Sequence, residues 1–141
     1  MEGKLLVRLL ADESVLPEQK TSGAAGFDLS SAEDIILPRW SCTKIKTGIA
    51  IEIPCGMVGF IRGRSSLAAV NIVAFEGTID SDYRGEVSVL IYNHTDAQYS
   101  ISVGTRIAQL VIVPHVTLPV LKVDALSETE RGCGGFGSTG K

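Results

Sequence analysis

Between residues 43 and 53 apolar and polar positions alternate. Ile45, Thr47, Ile49, Ile51 and Ile53 fall on one side, and Lys44, Lys46, Gly48, Ala50 and Glu52 on the other. A period of two is the pattern of a half-buried strand, because successive side chains of extended backbone point to opposite faces. Residues 5–10, 58–62, 86–93, 99–103 and 106–113 also read as strands, several of them rich in the Val and Ile that suit a pleated surface. Pro38, Pro54-Cys55-Gly56, His94-Thr95-Asp96, Gly104 and Pro114 punctuate these runs. No apolar stripe of helical period persists beyond about two turns, and residues 66–70 are the only short helix expected. The pattern predicts an all-β domain, a jelly-roll-like barrel or sandwich. Residues 1–126 form that β-domain and carry the site elements. Residues 127–141 are polar and Gly-rich without alternation, and read as a flexible C-terminal arm.

Composition narrows the chemistry. The 141 residues suit one domain, and 45% apolar residues are enough for a core. A formal charge of −3 argues against a nucleic-acid coat, whose sequence-independent affinity needs clustered cations. No apolar run approaches the roughly 18 residues of a membrane span, so no membrane partner is expected. The start of the chain shows no secretory pattern, which predicts a soluble intracellular protein of cytoplasm or nucleus. Cys42, Cys55 and Cys133 form no C-x-x-C, and His94 and His115 stand apart, so a zinc or dithiol site is not expected. Asn93-His94-Thr95 spells a glycosylation sequon that an intracellular chain would not use.

Fifteen glycines are many for this length, and five of them, Gly132, Gly134, Gly135, Gly137 and Gly140, lie in the tail. Gly132 to Gly137 spells G-x-G-x-x-G, and residues 135–141 resemble the start of a Walker A loop. Both motifs need a strand before them and a helix after, and the sequence ends too soon for either. Their physics remains: glycines let successive N–H groups turn toward an anion, while Ser138, Thr139 and Arg131 add donors. With the aromatic Phe136, the tail reads as a lid over a nucleotide. Taken alone, it fits a plain disordered Gly/Ser terminus better.

Gly63-Arg64-Ser65-Ser66 is a second donor-rich turn, with Ser65 near a helix start that can face an anion. Gly77-Thr78-Ile79-Asp80-Ser81-Asp82-Tyr83-Arg84-Gly85 sets two acids and a tyrosine between glycines. It reads as a hairpin turn, or as a carboxylate base beside an aromatic that packs on a sugar. In Ala24-Ala25-Gly26-Phe27-Asp28-Leu29 small residues precede a single acid at the entry to a strand.

These three segments, with Arg106-Ile107-Ala108-Gln109-Leu110 and residues 131–140, closely resemble in content and order the five motifs of the trimeric dUTP diphosphatases (dUTPases). The resemblance covers nearly the whole chain. It implies a jelly-roll-like fold and a homotrimer whose active sites combine motifs from several subunits, the C-terminal arm closing over a neighbour's site. The implied reaction is dUTP plus water to dUMP plus pyrophosphate, with Mg²⁺ on the triphosphate. Such a reaction keeps uracil out of DNA and supplies dUMP for thymidylate synthesis.

By the same resemblance Asp80 is the general base that holds and deprotonates the attacking water. A carboxylate is a weak base, so positioning supplies most of its effect. Arg131 resembles an arginine finger on the γ-phosphate. Arg64, Ser65 and Ser66 match phosphate and inter-subunit contacts, and Gln109 a triphosphate contact. Asp28 matches an acid that reaches the metal through water, which suits an ion that keeps its waters. Tyr83 would pack under the deoxyribose and leave no room for a 2′-hydroxyl. The hairpin from Gly77 to Ser88 would read the uracil edge with its backbone, rejecting cytosine by mismatched polar groups and thymine by a rigid wall. Phe136 would stack on uracil, with Gly137, Ser138 and Thr139 on the phosphates. Cys133 occupies a variable place, and Ala74 stands where some relatives carry an asparagine, so neither receives a role. The nearest rival, dCTP deaminase, needs a catalytic glutamate in the hairpin region. A non-catalytic jelly roll needs no acid placed to activate water.

Overall fold

The structure, a computed structural model, describes residues 3–135. Its strands run in chain order as β1 (Leu6–Leu9), β2 (Gly26–Ser30), β3 (Ile35–Leu37), β4 (Ser41–Glu52), β5 (Met57–Arg62), β6 (Ile72–Ala74), β7 (Gly77–Ile79), β8 (Glu86–Asn93), β9 (Tyr99–Ile101) and β10 (Arg106–Pro114). A single turn of helix, α1 (Ser65–Ala68), joins β5 to β6. One antiparallel sheet has the order β1-β4-β8-β6, a second the order β2-β10-β5-β7, and β3 pairs with β9 as a ribbon. The sheets stack as a sandwich. Among the described residues no strand pairing joins the two sheets, and the architecture is a jelly-roll-like sandwich.

The core follows from the alternation. Ile45, Ile49 and Ile51 on β4 and Val87, Val89 and Ile91 on β8 bury against Leu29, Ile61, Ala108 and Leu110 of the second sheet. Burying each such branched side chain contributes about 1.5–3 kcal/mol. Thr47, also on the inward face, is satisfied by donating its hydroxyl to the Val87 carbonyl. One position departs from the pattern. Gly48, expected outward, is buried. The β4–β8 ladder takes four steps from Lys46 to Ala50 against two from Ser88 to Glu86, so β4 bulges there. Gly48 adopts φ +66°, and its N–H and C=O are taken by Glu86 Oε1 at 3.0 Å and Ser14 Oγ at 2.6 Å.

The strands β2, β3, β6 and β7 span only three to five residues each, too short for alternation to stand out. The helix starts at Ser65, one residue before the expected start, with Arg64 as its N-cap and no side-chain capping bond. The sequon asparagine, Asn93, is fully buried, and its Nδ2 donates to the carbonyls of Leu37, Pro38 and Ala97. It is a structural clasp, closed to a glycan. After Pro114 no strand or helix follows among the described residues, and Val116, Leu118, Val120 and Leu121 stand exposed, Val120 at 97%.

Candidate active site

The outer face of the second sheet carries a row of polar residues, because strand pairing sets Asp28 on β2 opposite Gln109 on β10, and Gln109 opposite Arg62 on β5. Asp28 is the centre of the first cluster. Its Oδ2 accepts from Arg106 Nη1 at 2.9 Å, and its Oδ1 lies 3.6 Å from Arg64 Nε, with the carboxylate side chain only 14% exposed. Arg64 Nη1 also donates to the Arg106 carbonyl at 2.9 Å. Two guanidinium groups thus share one carboxylate, which fixes both and leaves a net positive charge. The cavity above them, about 300 Å³, is lined by Asp28, Arg64, Arg106, Ser65, Ser66, Gln109 and Lys20, with Gly26 beneath Gln109. Cations, hydroxyls and an amide around one acid form a setting suited to an anion.

The second cluster lies where the chain crosses from one sheet to the other. The expected hairpin from Gly77 to Ser88 is not a ladder. β7 pairs with β5 in the second sheet, and β8 pairs with β4 and β6 in the first. The two strands splay because each follows its own sheet, and a cavity of about 240 Å³ opens beside the crossing. Asp80, Tyr83, Ser88, Thr78, Glu86 and Lys44 line it. The crossing turn is closed by Tyr83 N–H donating to the Asp80 carbonyl at 3.1 Å. Tyr83 Oη donates to the Glu86 carbonyl at 3.1 Å, laying the ring across Gly85. Arg84 braces the turn from behind, donating to the carbonyls of Ser81 and Tyr83 at 2.7 and 3.0 Å, and lies 3.5 Å from Glu52. The Asp80 side chain is exposed, and on its other flank it lines a further cavity with Asp82 and His115.

The two clusters are apart within one chain. β2 and β7 are opposite edges of the same sheet, three inter-strand steps or roughly 14 Å. Along the strands, the Asp28 row lies three residues from the Ile79 row, about 10 Å more. Arg131 joins neither cluster: its Nε donates to the Gly134 carbonyl at 3.0 Å, within its own turn. Phe136, Gly137, Ser138 and Thr139 lie outside the described residues.

Among the described residues no set of three or more His, Cys, Asp or Glu side chains is arranged to hold a metal ion, and no buried side-chain nitrogen or oxygen lacks a partner. The described residues therefore offer no cation cage of their own. Such a lining suits a metal that is brought in by a phosphate ligand and keeps its own waters, as Mg²⁺ tends to do.

Several residues here escaped the sequence. Arg106 was legible only as part of a motif, and its place beside Asp28 comes from the β2–β10 register. Lys44 shows outward in the alternation, but its nearness to Asp80 needs the β4–β8 pairing. Lys20 and His115 carry no local signal at all.

Comparison with known proteins places the chain. It matches the dUTPase family over residues 12–140. It is 48% identical to the deoxyuridine 5'-triphosphate nucleotidohydrolase of Nautilia profundicola, over 98% of this chain and 99% of that one. The protein of the same name from Paramecium bursaria Chlorella virus 1 is 46% identical over 96% and 97%. Among solved structures, the dUTPase of Staphylococcus bacteriophage 80alpha with dUPNHPP superposes with a TM-score of 0.93 at 34% identity, covering 98% of this chain and 99% of that one. A mutant dUTPase from phage phi11 of S. aureus, whose structure describes the coordination of a structural Mg(II) ion, gives 0.82 at 31% identity, over 87% and 98%. The chain belongs to the dUTPase family.

Proposed function

We propose that the protein hydrolyses dUTP to dUMP and pyrophosphate, and that it does so as a homotrimer with shared sites. The observation that carries the reading is the division of the polar residues. An anion-suited cavity centred on Asp28 of the edge strand β2, with Arg64 and Arg106, stands apart from an acid-bearing turn at Asp80 and Tyr83 that follows the opposite edge strand β7. A second copy of the chain that brings its acid-bearing turn to this cavity would complete a site that the separation leaves divided. The apolar run through Val116, Leu118, Val120 and Leu121, left bare by its own chain, also calls for a neighbour.

In this reading Asp80 holds the attacking water at the α-phosphorus and takes its proton. The splayed strands β7 and β8 give the uracil an entry, with backbone groups between Gly77 and Ser88 reading its edge. Tyr83, pinned to the Glu86 carbonyl, is the floor under the deoxyribose and excludes a 2′-hydroxyl. Arg64 and Arg106, aligned by Asp28, with Ser65, Ser66 and Gln109, hold the phosphates and offset charge that develops on them. Arg131 reaches the terminal phosphate from the arm of a neighbour, and Phe136, Gly137, Ser138 and Thr139 complete the closure. Mg²⁺ bound to the triphosphate would neutralise part of its charge, with Asp28 the residue that meets its water shell.

Pyrophosphate release from dUTP, dCTP, dTTP and UTP in the presence of Mg²⁺ tests the reading. The expected result is turnover of dUTP with the other three far behind. Equal turnover of all four, or ammonia from dCTP, overturns it.

A further inference from the structure

Lys20 belongs to no recognised motif, yet it lines the cavity that holds Arg64, Arg106, Ser65 and Gln109, and also the adjoining one beside Asp28 and Arg106. Its place there is built. The Asp28 N–H donates to the Glu18 carbonyl at 2.9 Å, so the start of the Lys20 loop is bridged to the strand that carries the central carboxylate. Gln19 Nε2 donates to the Ala24 carbonyl at 2.6 Å, and the Ala24 N–H to the Thr21 carbonyl at 3.1 Å, which close the loop on itself. The loop therefore presents Lys20 to the cavity with little freedom of its backbone. At its tip the ammonium is ion-paired with Glu18, and both side chains are about half exposed, 51% and 59%. Glu18 lines only the adjoining cavity, about 190 Å³, while Lys20, Asp28 and Arg106 border both.

We propose that Lys20 is a further polyphosphate-binding residue, held in reserve by Glu18 and handed to the terminal phosphates when they enter. The proposal rests on the reading of the Asp28 cavity as the polyphosphate site. The charges explain the exchange. Asp28 already neutralises one of the two guanidinium groups, and Glu18 neutralises Lys20, so the protein groups of the cavity carry about one net positive charge. An exposed Lys–Glu pair is worth at most about 1 kcal/mol. A polyphosphate carries several charges and more acceptor oxygens, and draws the ammonium away from a single carboxylate. Leaving Glu18 uncovered costs little, since water solvates it. The pair thus keeps a long cation ordered and out of the way until the ligand arrives.

The test binds inorganic pyrophosphate with Mg²⁺ to the full chain by calorimetry, and measures KM and kcat for dUTP, in Lys20→Met, Lys20→Arg and Glu18→Gln. Lys20→Met weakens pyrophosphate about three- to tenfold and raises KM for dUTP by a similar factor with little change in kcat, while Lys20→Arg retains most of the affinity. Glu18→Gln removes the competing carboxylate and tightens pyrophosphate about two- to fivefold. Binding of dUMP, which lacks the terminal phosphates, changes in neither. A weaker complex in Glu18→Gln would make the pair a clasp for the loop and overturn the proposal, as would unchanged pyrophosphate affinity in Lys20→Met or an equal loss of dUMP binding. If the wild-type chain fails to hydrolyse dUTP while Lys20→Met still loses pyrophosphate, the functional reading falls and the anion site stands.

Discussion

Asp28 Oδ2 accepts a hydrogen bond from Arg106 Nη1 at 2.9 Å across the β2–β10 pair, while Oδ1 faces Arg64 Nε at 3.6 Å. One carboxylate thereby orients two cations that come from different parts of the chain. Asp28→Asn keeps the shape but lets both guanidiniums drift. The pair is partly buried at Asp28 and more open at Arg106, so the stability loss is modest, about 1–2 kcal/mol. The functional loss is larger: KM for dUTP rises about tenfold or more, because two aligned guanidinium groups lose their common anchor together. A variant with unchanged KM and an unchanged melt would remove Asp28 from this role.

The turn at Tyr83 depends on a neighbour with no side chain. A Cβ on Gly85 would stand 2.3 Å from Tyr83 Oη and 2.5 Å from its Cζ, closer than atoms can approach. Gly85→Ala therefore drives the ring off the Glu86 carbonyl. Tyr83 is 44% exposed and its ring can swing into solvent, so folding loses about 1 kcal/mol or less. Activity drops by at least tenfold, and discrimination of dUTP against UTP falls with it, since the floor under the sugar has moved. Thermal melting paired with kcat/KM for both nucleotides decides. A normal preference for dUTP would show that Tyr83 does not guard the 2′ position.

Gly48 makes the opposite case, a glycine that serves the fold and not the site. Its φ of +66° disfavours any side chain, and an added Cβ would meet Ser14 Oγ at 2.2 Å and Ala32 Cβ at 2.9 Å. Gly48→Ala should destabilise the chain by about 2–5 kcal/mol, from backbone strain plus the repacking of the segment that covers the bulge. Urea denaturation gives the number. The protein that remains folded should turn over dUTP normally, and a loss under 1 kcal/mol would mean that the bulge relaxes freely.

The alternation from residue 43 to 53 was enough to read β4 and its buried face, because a long strand repeats its period many times. Ile45, Ile49 and Ile51 are all buried as that period requires. The same period put Gly48 outward, and only the bulge and the Ser14 segment bury it. β7 was misread for a related reason. Residues 77–85 look like a hairpin turn because local signals cannot say which sheet a three-residue strand will join. The site was legible as motifs, yet not as an arrangement. Asp28 and Arg64 are 36 positions apart by number, and Arg106 is further still; register alone brings them together. Lys20 was invisible because a cation in a polar loop has no periodic or motif signature.

Asp80 is expected to matter to the chemical step far more than to the fold. Its side chain is exposed, and the turn is held through its carbonyl, which substitution leaves in place. Asp80→Asn should melt within about 0.5 kcal/mol of the parent and bind dUTP with similar affinity. Turnover should fall about a hundredfold to ten-thousandfold, the range for loss of a general base. Single-turnover kinetics separates the step from binding and product release. Near-normal turnover would transfer the role to another group.

Sharing of sites between chains has its own signature. Deleting residues 131–141 removes the arm while leaving every described strand intact, so the truncated chain should fold and fail to turn over dUTP. It still carries Asp80, and an Asp80→Asn chain still carries the arm. Unfolded together and refolded one to one, the two inactive chains would assemble at random. If each site takes its base from one subunit and its arm from another, it works only when the first is a truncated chain and the second an Asp80→Asn chain. Each condition holds half the time, which returns about a quarter of wild-type activity. If base and arm come from the same chain, no mixed site is complete and the refolded mixture stays as inactive as its components.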